Sequence, residues 1–384
     1  MPARMSWSLL GSALYLLVLL EGCGGGGNGG PAVTPATPTR TPTRTLRPGE
    51  PTFTPTRTVP PPSPTPTLTP VEVLPGTRSI VDTVRIAPPG ALVAVPAGVY
   101  EPFQLGAGDV NGSVRIVADV TGQLTGSGAG EVVINAAGGA TAISLDGVQG
   151  ITLDGFTVRN AARAGIEVRN SSDLTLVNLI VRNNTRDGIR IIGSTQVRVW
   201  NNLLLSNGGA GLALLNCSTV AVLNNTFYGN LGSGLQLGAP DLPASDVFTR
   251  NNIFIANTPF GIVADAASVG FDGNYNLNRD GVFNVSPGPN DLNVDPFWIN
   301  PGAQDGFRIP ATNDECLGGS AIMDAGDPNT DAELVGILAQ RTTQVDNKPD
   351  CTGLGCCPPG CAPGTELECV RVGAVDLGYH YPIR

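Results

Sequence analysis

Five segments decide the fold: Gly155-Phe-Thr-Val-Arg-Asn160, Asn178-Leu-Ile-Val-Arg-Asn183, Asn202-Leu-Leu-Leu-Ser-Asn207, Asn225-Thr-Phe-Tyr-Gly-Asn230 and Asn252-Ile-Phe-Ile-Ala-Asn257 share one template. Each is followed by a glycine and an aliphatic residue: Gly165-Ile166, Gly188-Ile189, Gly211-Leu212, Gly234-Leu235 and Gly261-Ile262. Read from Asn to Asn, the steps are 23, 24, 23 and 27 residues, so each unit is one supersecondary turn and the last step carries a short insertion. A fixed period of this size is the signature of a solenoid.

The pattern inside each unit selects which solenoid. After each glycine apolar residues alternate, as in Ile143 and Leu145, Ile166 and Val168, Ile189 and Ile191, Leu212 and Leu214, and Leu235 and Leu237. A second alternating run follows (Ile151 and Leu153, Leu174 and Leu176, Val197 and Val199, Val220 and Val222), then a third after the Asn or Gly column. Alternation of period two is the mark of strands. Three short strands per 23 residues, joined by turns rich in Gly, Asn and Ser, predict an all-β chain built as a parallel β-helix. One coil buries almost nothing, whereas stacked coils bury continuous aliphatic columns and pair every strand above and below. Asn tolerates left-handed turns and can bond the backbone or the Asn of the next coil, so the asparagines and glycines read as scaffold.

The rest of the chain sorts by composition. Residues 1–22 carry Arg4, then an apolar run from Leu9 to Leu20, and end before Cys23. That run is too short for a membrane span and predicts a secretion signal. Leu20-Glu-Gly-Cys23 resembles a bacterial lipobox, with Glu21 an unusual occupant. The resemblance implies that Cys23 carries lipid and tethers the protein to a membrane, the alternative being an ordinary signal peptide with a free thiol. Residues 23–75 run through glycines into Thr-Pro-Thr-Arg-type repeats, which bury no core and predict a disordered linker. At about 3 Å per residue in polyproline II geometry, that linker reaches on the order of 100–150 Å. The β-helix is expected over residues 76–300, and an acidic, cysteine-rich cap region over 301–384. Within the former, Ile80, Val81, Val84 and Ala87 after Ser79 have the spacing of a short capping helix, although their β-branched side chains also suit a strand.

Ala91 to Tyr100 and Gly150-Ile-Thr-Leu-Asp-Gly-Phe-Thr-Val-Arg-Asn160 resemble right-handed parallel β-helix proteins of the pectate-lyase-like superfamily. The resemblance spans roughly residues 78–300 and implies a right-handed, single-stranded coil. It does not imply one reaction, because that superfamily holds lyases, hydrolases, epimerases, carbohydrate-binding modules and phage adhesins. Val294-Asp-Pro-Phe297, Gly306-Phe-Arg-Ile309, Gly319-Ser-Ala-Ile-Met-Asp-Ala-Gly-Asp-Pro328 and Gly373-Ala-Val-Asp-Leu-Gly378 resemble the carboxy-terminal region of bacterial choice-of-anchor Q surface proteins. Here the chain departs by ending Tyr379-His-Tyr-Pro382 and by inserting cysteines.

Those cysteines, Cys316, Cys351, Cys356, Cys357, Cys361 and Cys369, are even in number and lie in a segment with little apolar content. In an exported chain they suggest up to three disulfides of unreadable connectivity, zinc being the alternative. Cys217 stands where other coils carry Ser171 and Ser194, and reads as a small buried residue. Residues 265–384 hold 17 Asp and Glu against 6 Lys and Arg, which accounts for the chain's net charge of −10. That acidic balance argues against nucleic acid as a partner. Asp324, Asp327, Asn329 and Asp331 alternate as oxygen ligands of a structural Ca²⁺ would, or as solvated acids in a turn. No other cofactor is suggested, and the chain reads as a monomer.

Catalytic signatures are sparse. The only lysine, Lys348, and the only histidine, His380, both lie in the tail. A base on the helix body would have to be arginine, which seldom loses its proton. No Asp-Asp pair marks a hydrolase, although dispersed carboxylates can converge in space. Against this stands one charge pattern: Arg159 and Arg182 occupy equivalent places one coil apart, as do Arg163 and Arg186, with Arg190 nearby. Such a strip can bind an acidic glycan through bidentate contacts, or its arginines splay into water and pair with Glu167 and Asp187. The favoured reading is a lipid-tethered lipoprotein of the bacterial outer membrane or cell surface, whose β-helix binds carbohydrate or serves a structural role without catalysis. The alternative is a surface polysaccharide lyase, epimerase or glycoside hydrolase acting on an acidic glycan.

Overall fold

The computed structural model describes residues 70–73, 79–294, 326–338, 341–342 and 381–382. Over residues 91–283 the chain winds through three parallel sheets in strict rotation, so that strand n pairs with strand n + 3. Sheet A has nine strands, from Val71–Glu72 and Ala91–Pro96 through Ser172–Val177, Thr195–Trp200, Ser218–Leu223 and Ser245–Arg250 to Asp272–Asn274. Sheets B and C have eight strands each; Thr157–Arg159 and Ile180–Arg182 belong to B, Ala164–Arg169 and Ile189–Ile192 to C. This is the expected parallel β-helix with three strands per coil.

The aliphatic columns stack as the alternation requires. Ile143, Ile166, Ile189, Leu212, Leu235 and Ile262 stand in register on the inner face of sheet C. Val158, Val181, Leu204, Phe227 and Phe254 do so on sheet B. All are buried, and the Phe227 and Phe254 rings stack with centroids 4.7 Å apart.

Two buried amide ladders set that register. In the turn from A to B, the Nδ2 of Asn202 donates to Oδ1 of Asn225, Asn225 to Asn252, and Asn252 to Asn276, each at 2.9 Å. Each Oδ1 also accepts the backbone N–H of the preceding Asn, and the second Nδ2 proton goes to a backbone carbonyl, such as Leu176 O for Asn202. In the turn from B to C the same scheme joins Asn184, Asn207, Asn230 and Asn257 at 2.8–3.0 Å. Both ladders end on a carboxylate: Asp291 accepts from Asn276, and Asp280 from Asn257. The terminal coil has no further amide to pass the bond to, and an acceptor-only carboxylate closes the chain of donors.

The ladders correct the sequence alignment. Ile180, Val181 and Arg182 face Leu203, Leu204 and Leu205, so Asn178 stacks on Asn201 and Asn183 on Ser206, one residue away from the template match. The apparent step of 24 is a switch between two adjacent columns, and the structural step from Ile180 to Leu203 is 23. Asn178, Asn201, Asn224 and Asn251 take the left-handed turn conformation, with φ of 50–59°, while the neighbouring Asn202, Asn225 and Asn252 build the ladder. The four-residue insertion falls around Gly238–Pro243, between Leu237 of sheet C and Ser245 of sheet A.

The glycine column likewise has a reason other than φ. A Cβ on Gly211 would lie 2.8 Å from both Gly234 O and the Phe227 ring, and one on Gly188 2.8 Å from Asn207 Nδ2. These glycines let the backbone pass against the ladder.

Helix α1, Ile80–Ile86, caps the first coil, with the Ser79 hydroxyl accepting the Asp82 N–H and with Ile80, Thr83 and Val84 buried. Val71–Glu72 pairs with Ala91–Pro96, and Val73 is buried in the core. Residues 71–73, inside the stretch expected as the 23–75 linker, thus join the first coil, to which Val71 and Val73 supply an apolar rung. A second helix, α2, Ala332–Leu338, lays Leu334 and Leu338 on Val177, Trp200 and Leu223. The expected segments 1–22, most of 23–75 and most of 301–384 lie outside the described residues.

Asn225→Ala strips Asn202 of the acceptor for two N–H groups, and should cost roughly 3 kcal/mol in urea unfolding. Asn183→Gly, at an exposed left-handed turn, should change stability by less than about 0.5 kcal/mol. Gly211→Ala should cost about 1–3 kcal/mol by overpacking. At Gly90, where a Cβ meets nothing within 4 Å, alanine should cost only the left-handed penalty of about 1–2 kcal/mol.

Candidate functional site

The fold brings the arginine pairs together as their spacing predicted. Arg159 and Arg182 are direct register partners on adjacent strands of sheet B, and the column continues as Leu205 and Tyr228, so its cationic part is two coils tall. Arg163 and Arg186 follow in the turn to sheet C, where the Arg186 N–H donates to Arg163 O at 3.0 Å; both side chains are exposed. Arg190 lies on sheet C, with its Cα opposite Glu167.

Two buried carboxylates sit among these arginines. Glu167 accepts the Arg169 Nε–H at 2.9 Å, with Arg163 3.8 Å from its other oxygen. Asp187 accepts from Arg190 at 2.9 Å and from the Ala210 N–H at 3.0 Å. The register opposition of Glu167 and Arg190 therefore does not become an ion pair: Arg190 turns to Asp187 in its own coil, and Glu167 takes Arg169 two residues along.

Arg159, Arg182 and Arg186 have no carboxylate at ion-pair distance among the described residues. The Nε groups of Arg159 and Arg182 are buried and lack a hydrogen-bond partner. Their backbone positions lie one strand spacing apart, about 4.8 Å, so like charges held at that spacing repel each other, and each buried Nε–H without an acceptor adds the cost of its lost hydration. An oxyanion bridging the two would relieve both. Guanidinium presents its donors as a rigid planar fork that fits a carboxylate or sulfate in two parallel bonds. Glu167 and Asp187 are held in ion pairs with Arg169 and Arg190, and the second oxygen of Glu167 has no hydrogen-bond partner among the described residues.

The other candidate residues divide. Asp327 accepts the Asn329 N–H at 2.8 Å and lies 3.3 Å from Arg250 Nε, while Asp331 accepts the Glu333 N–H at 2.9 Å at the head of α2. Asp327 and Asp331 are thus engaged in turn, ion-pair and helix-cap contacts, and Asn329 donates to Asp327; Asp324 lies outside the described residues. Among the described residues no three His, Cys, Asp or Glu side chains converge. Cys23 and the six tail cysteines also lie outside them. Cys217 is buried, with its thiol donating to the carbonyls of Ile191 and Leu215 at 3.3 Å, and burial pushes its pKa up.

Sequence reasoning missed the outer face of sheet A. There Arg198, Trp200, Phe248 and Arg250 meet the tail segment around Asp327, and Asn251 bonds both the Asp327 N–H and the Thr330 hydroxyl. The available signal was aromatic residues at outward strand positions, Trp200 after Val199 and Phe248 after Val247.

The sequence matches the family described as "Right handed beta helix region" over residues 141–291. No curated protein matches it. Among solved structures, Geobacillus virus E2 ORF18 is 15% identical, with a TM-score of 0.31, over 49% of this chain and 44% of that one, so this chain spans less than half of the viral protein. The A-module of the Azotobacter vinelandii mannuronan C-5 epimerase AlgE4 is 12% identical, TM-score 0.25, over 54% of this chain and 91% of that one. Pectate lyase Pel9A is 14% identical, TM-score 0.29, over 66% and 87%. Likenesses of this depth carry nothing about substrate or reaction. The three-sheet topology and the family match together make the solenoid a right-handed parallel β-helix.

Proposed function

We propose that this is an exported, lipid-tethered protein of the bacterial cell envelope whose β-helix binds an acidic glycan without turning it over. The observation that carries the reading is the register pairing of Arg159 and Arg182, with no carboxylate partner for either among the described residues. Arg163 and Arg186 extend the same cationic surface around the corner to sheet C. A chain of net charge −10 has no general affinity for polyanions, so a local arginine face of this kind reads as selective. Uronate carboxylates and sulfate esters are the groups its forks fit. Support for the tether is the lipobox-like Leu20-Glu-Gly-Cys23 and the Pro/Thr-rich stretch behind it.

Combined substitution of Arg159, Arg163, Arg182 and Arg186 by Gln should weaken binding to polygalacturonate or a sulfated glycan at least about tenfold, the loss of roughly 1.4 kcal/mol or more. Wild-type affinity should fall as salt rises. Isothermal titration against a polysaccharide panel checks both. Unchanged affinity in the quadruple variant contradicts the assignment, and new reducing ends or unsaturated products would make the protein an enzyme.

A further inference from the structure

The amide ladders bear on the covalent chemistry of the chain as well as on its register. An asparagine deamidates when the backbone nitrogen of the next residue attacks its side-chain carbonyl carbon. A following glycine, with no Cβ to obstruct the approach, makes that attack fastest. In a solenoid built on asparagine this is a standing liability, and the ladders suppress it by committing the attacking nitrogen as a donor. The N–H groups that follow Asn183, Asn201 and Asn224 donate to Asn207, Asn225 and Asn252 Oδ1 at 2.9–3.2 Å.

Two Asn-Gly pairs fall among the described residues, Asn111-Gly112 and Asn207-Gly208, and the fold treats them oppositely. Asn207 is 0% exposed, its Oδ1 accepts from Asn184, and its Nδ2 donates to Asn230 Oδ1 and Val181 O. The Gly208 N–H is held by Asn184 O at 2.8 Å. Electrophile and nucleophile are both fixed and shielded from water. Asn111 and Gly112 are instead exposed, in the turn from Phe103–Gly106 of sheet C to Val114–Asp119 of sheet A. Among the described residues the Asn111 side chain makes no hydrogen bond and the Gly112 N–H has no acceptor.

We propose that Asn111 is a site of spontaneous covalent modification, conversion of asparagine to isoaspartate and aspartate, from which the ladder protects Asn207. The Gly112 nitrogen bonds to Asn111 Cγ and loses its proton, the bond from Cγ to Nδ2 breaks, and Nδ2 gains a proton and leaves as ammonia. Water then opens the resulting succinimide at either carbonyl. Both products place a new carboxylate two residues from Asp109, which holds Arg85 of α1 in an ion pair of 2.7 Å. Isoaspartate also reroutes the main chain through the side-chain carbon, beside Ser113, whose carbonyl accepts the Gly90 N–H at 2.6 Å. The modification thus falls where the amino-terminal cap is fastened to the first coil, and the reading of the arginine face plays no part in it.

The test incubates the full chain at mildly alkaline pH, native and in guanidinium, and maps tryptic peptides by mass spectrometry. Cleavage after Arg85 and Arg115 leaves Asn111 as the only asparagine of peptide 86–115, and cleavage after Arg198 and Arg250 places Asn207 in 199–250. Fragmentation locates each new acid and tells isoaspartate from aspartate. In the native protein Asn111 should convert at least about tenfold faster than Asn207, because reaction at Asn207 requires local opening of the ladder. In guanidinium the two should convert alike, since glycine follows both. Asn111→Gln should abolish conversion in 86–115 and leave that at Asn207 unchanged. The proposal is overturned if native Asn111 keeps its amide while the unfolded chain loses it there, or if Asn207 converts as fast as Asn111 in the native protein.

Discussion

Everything in this solenoid depends on side-chain amides that hydrogen-bond to the amide one coil on. Within each ladder an inner asparagine such as Asn225 accepts two N–H groups and donates to the next amide and to a backbone carbonyl, so the buried amide is fully satisfied and fixes its coil against the next. A slip of one residue would break the two ladders and turn every inward side chain outward. Chains of amides polarise one another, and a carboxylate at the accepting end, Asp280 in one ladder and Asp291 in the other, faces the donors of the whole column. The aliphatic columns then supply the bulk of the driving force, while the amides decide which arrangement of them is reached.

That division of labour leaves the outward positions free to differ from coil to coil. On sheet B the outward column changes from Arg159 and Arg182 to Leu205 and Tyr228 within four coils, although the inward column beside it stays apolar throughout. On sheet A it changes from Val177 to Trp200, Leu223 and Arg250, and the apolar part is covered by α2. Functional groups are displayed on a rigid frame at a fixed spacing of one coil, which is the geometry for recognising a repeating polymer. The tail takes part as well, because Asp327, Asn329 and Asp331 serve as the wall of a cleft and as anchors of a strap over sheet A.

The repeat made the coil, its three strands and its aliphatic columns readable from the sequence, since a stacked coil must repeat its inward residues. Spacing alone did not separate the doublets Asn201-Asn202, Asn224-Asn225 and Asn251-Asn252, where one residue turns the chain and its neighbour bonds to the next coil. The template therefore matched Asn178 to the wrong member of the pair. The stacking of Arg159 on Arg182 was legible for the same reason as the core, being a matter of register. That no described carboxylate pairs with them was not, because it depends on Glu167 pairing with Arg169, and Asp187 with Arg190. The sheet A cleft was invisible to periodicity: it is closed by contacts between Asn251 and residues 76 and 79 positions further along, Asp327 and Thr330, in a segment outside the repeat.

The central claim is that Arg159 and Arg182 form an anion seat left open by the protein's own carboxylates. A crystal structure of the described domain with a short oligogalacturonate tests it most directly. The account predicts a ligand carboxylate within hydrogen-bond distance of both guanidinium groups, with Glu167 and Asp187 still paired to Arg169 and Arg190. An oligosaccharide bound elsewhere, or none bound at saturating concentration, would contradict it.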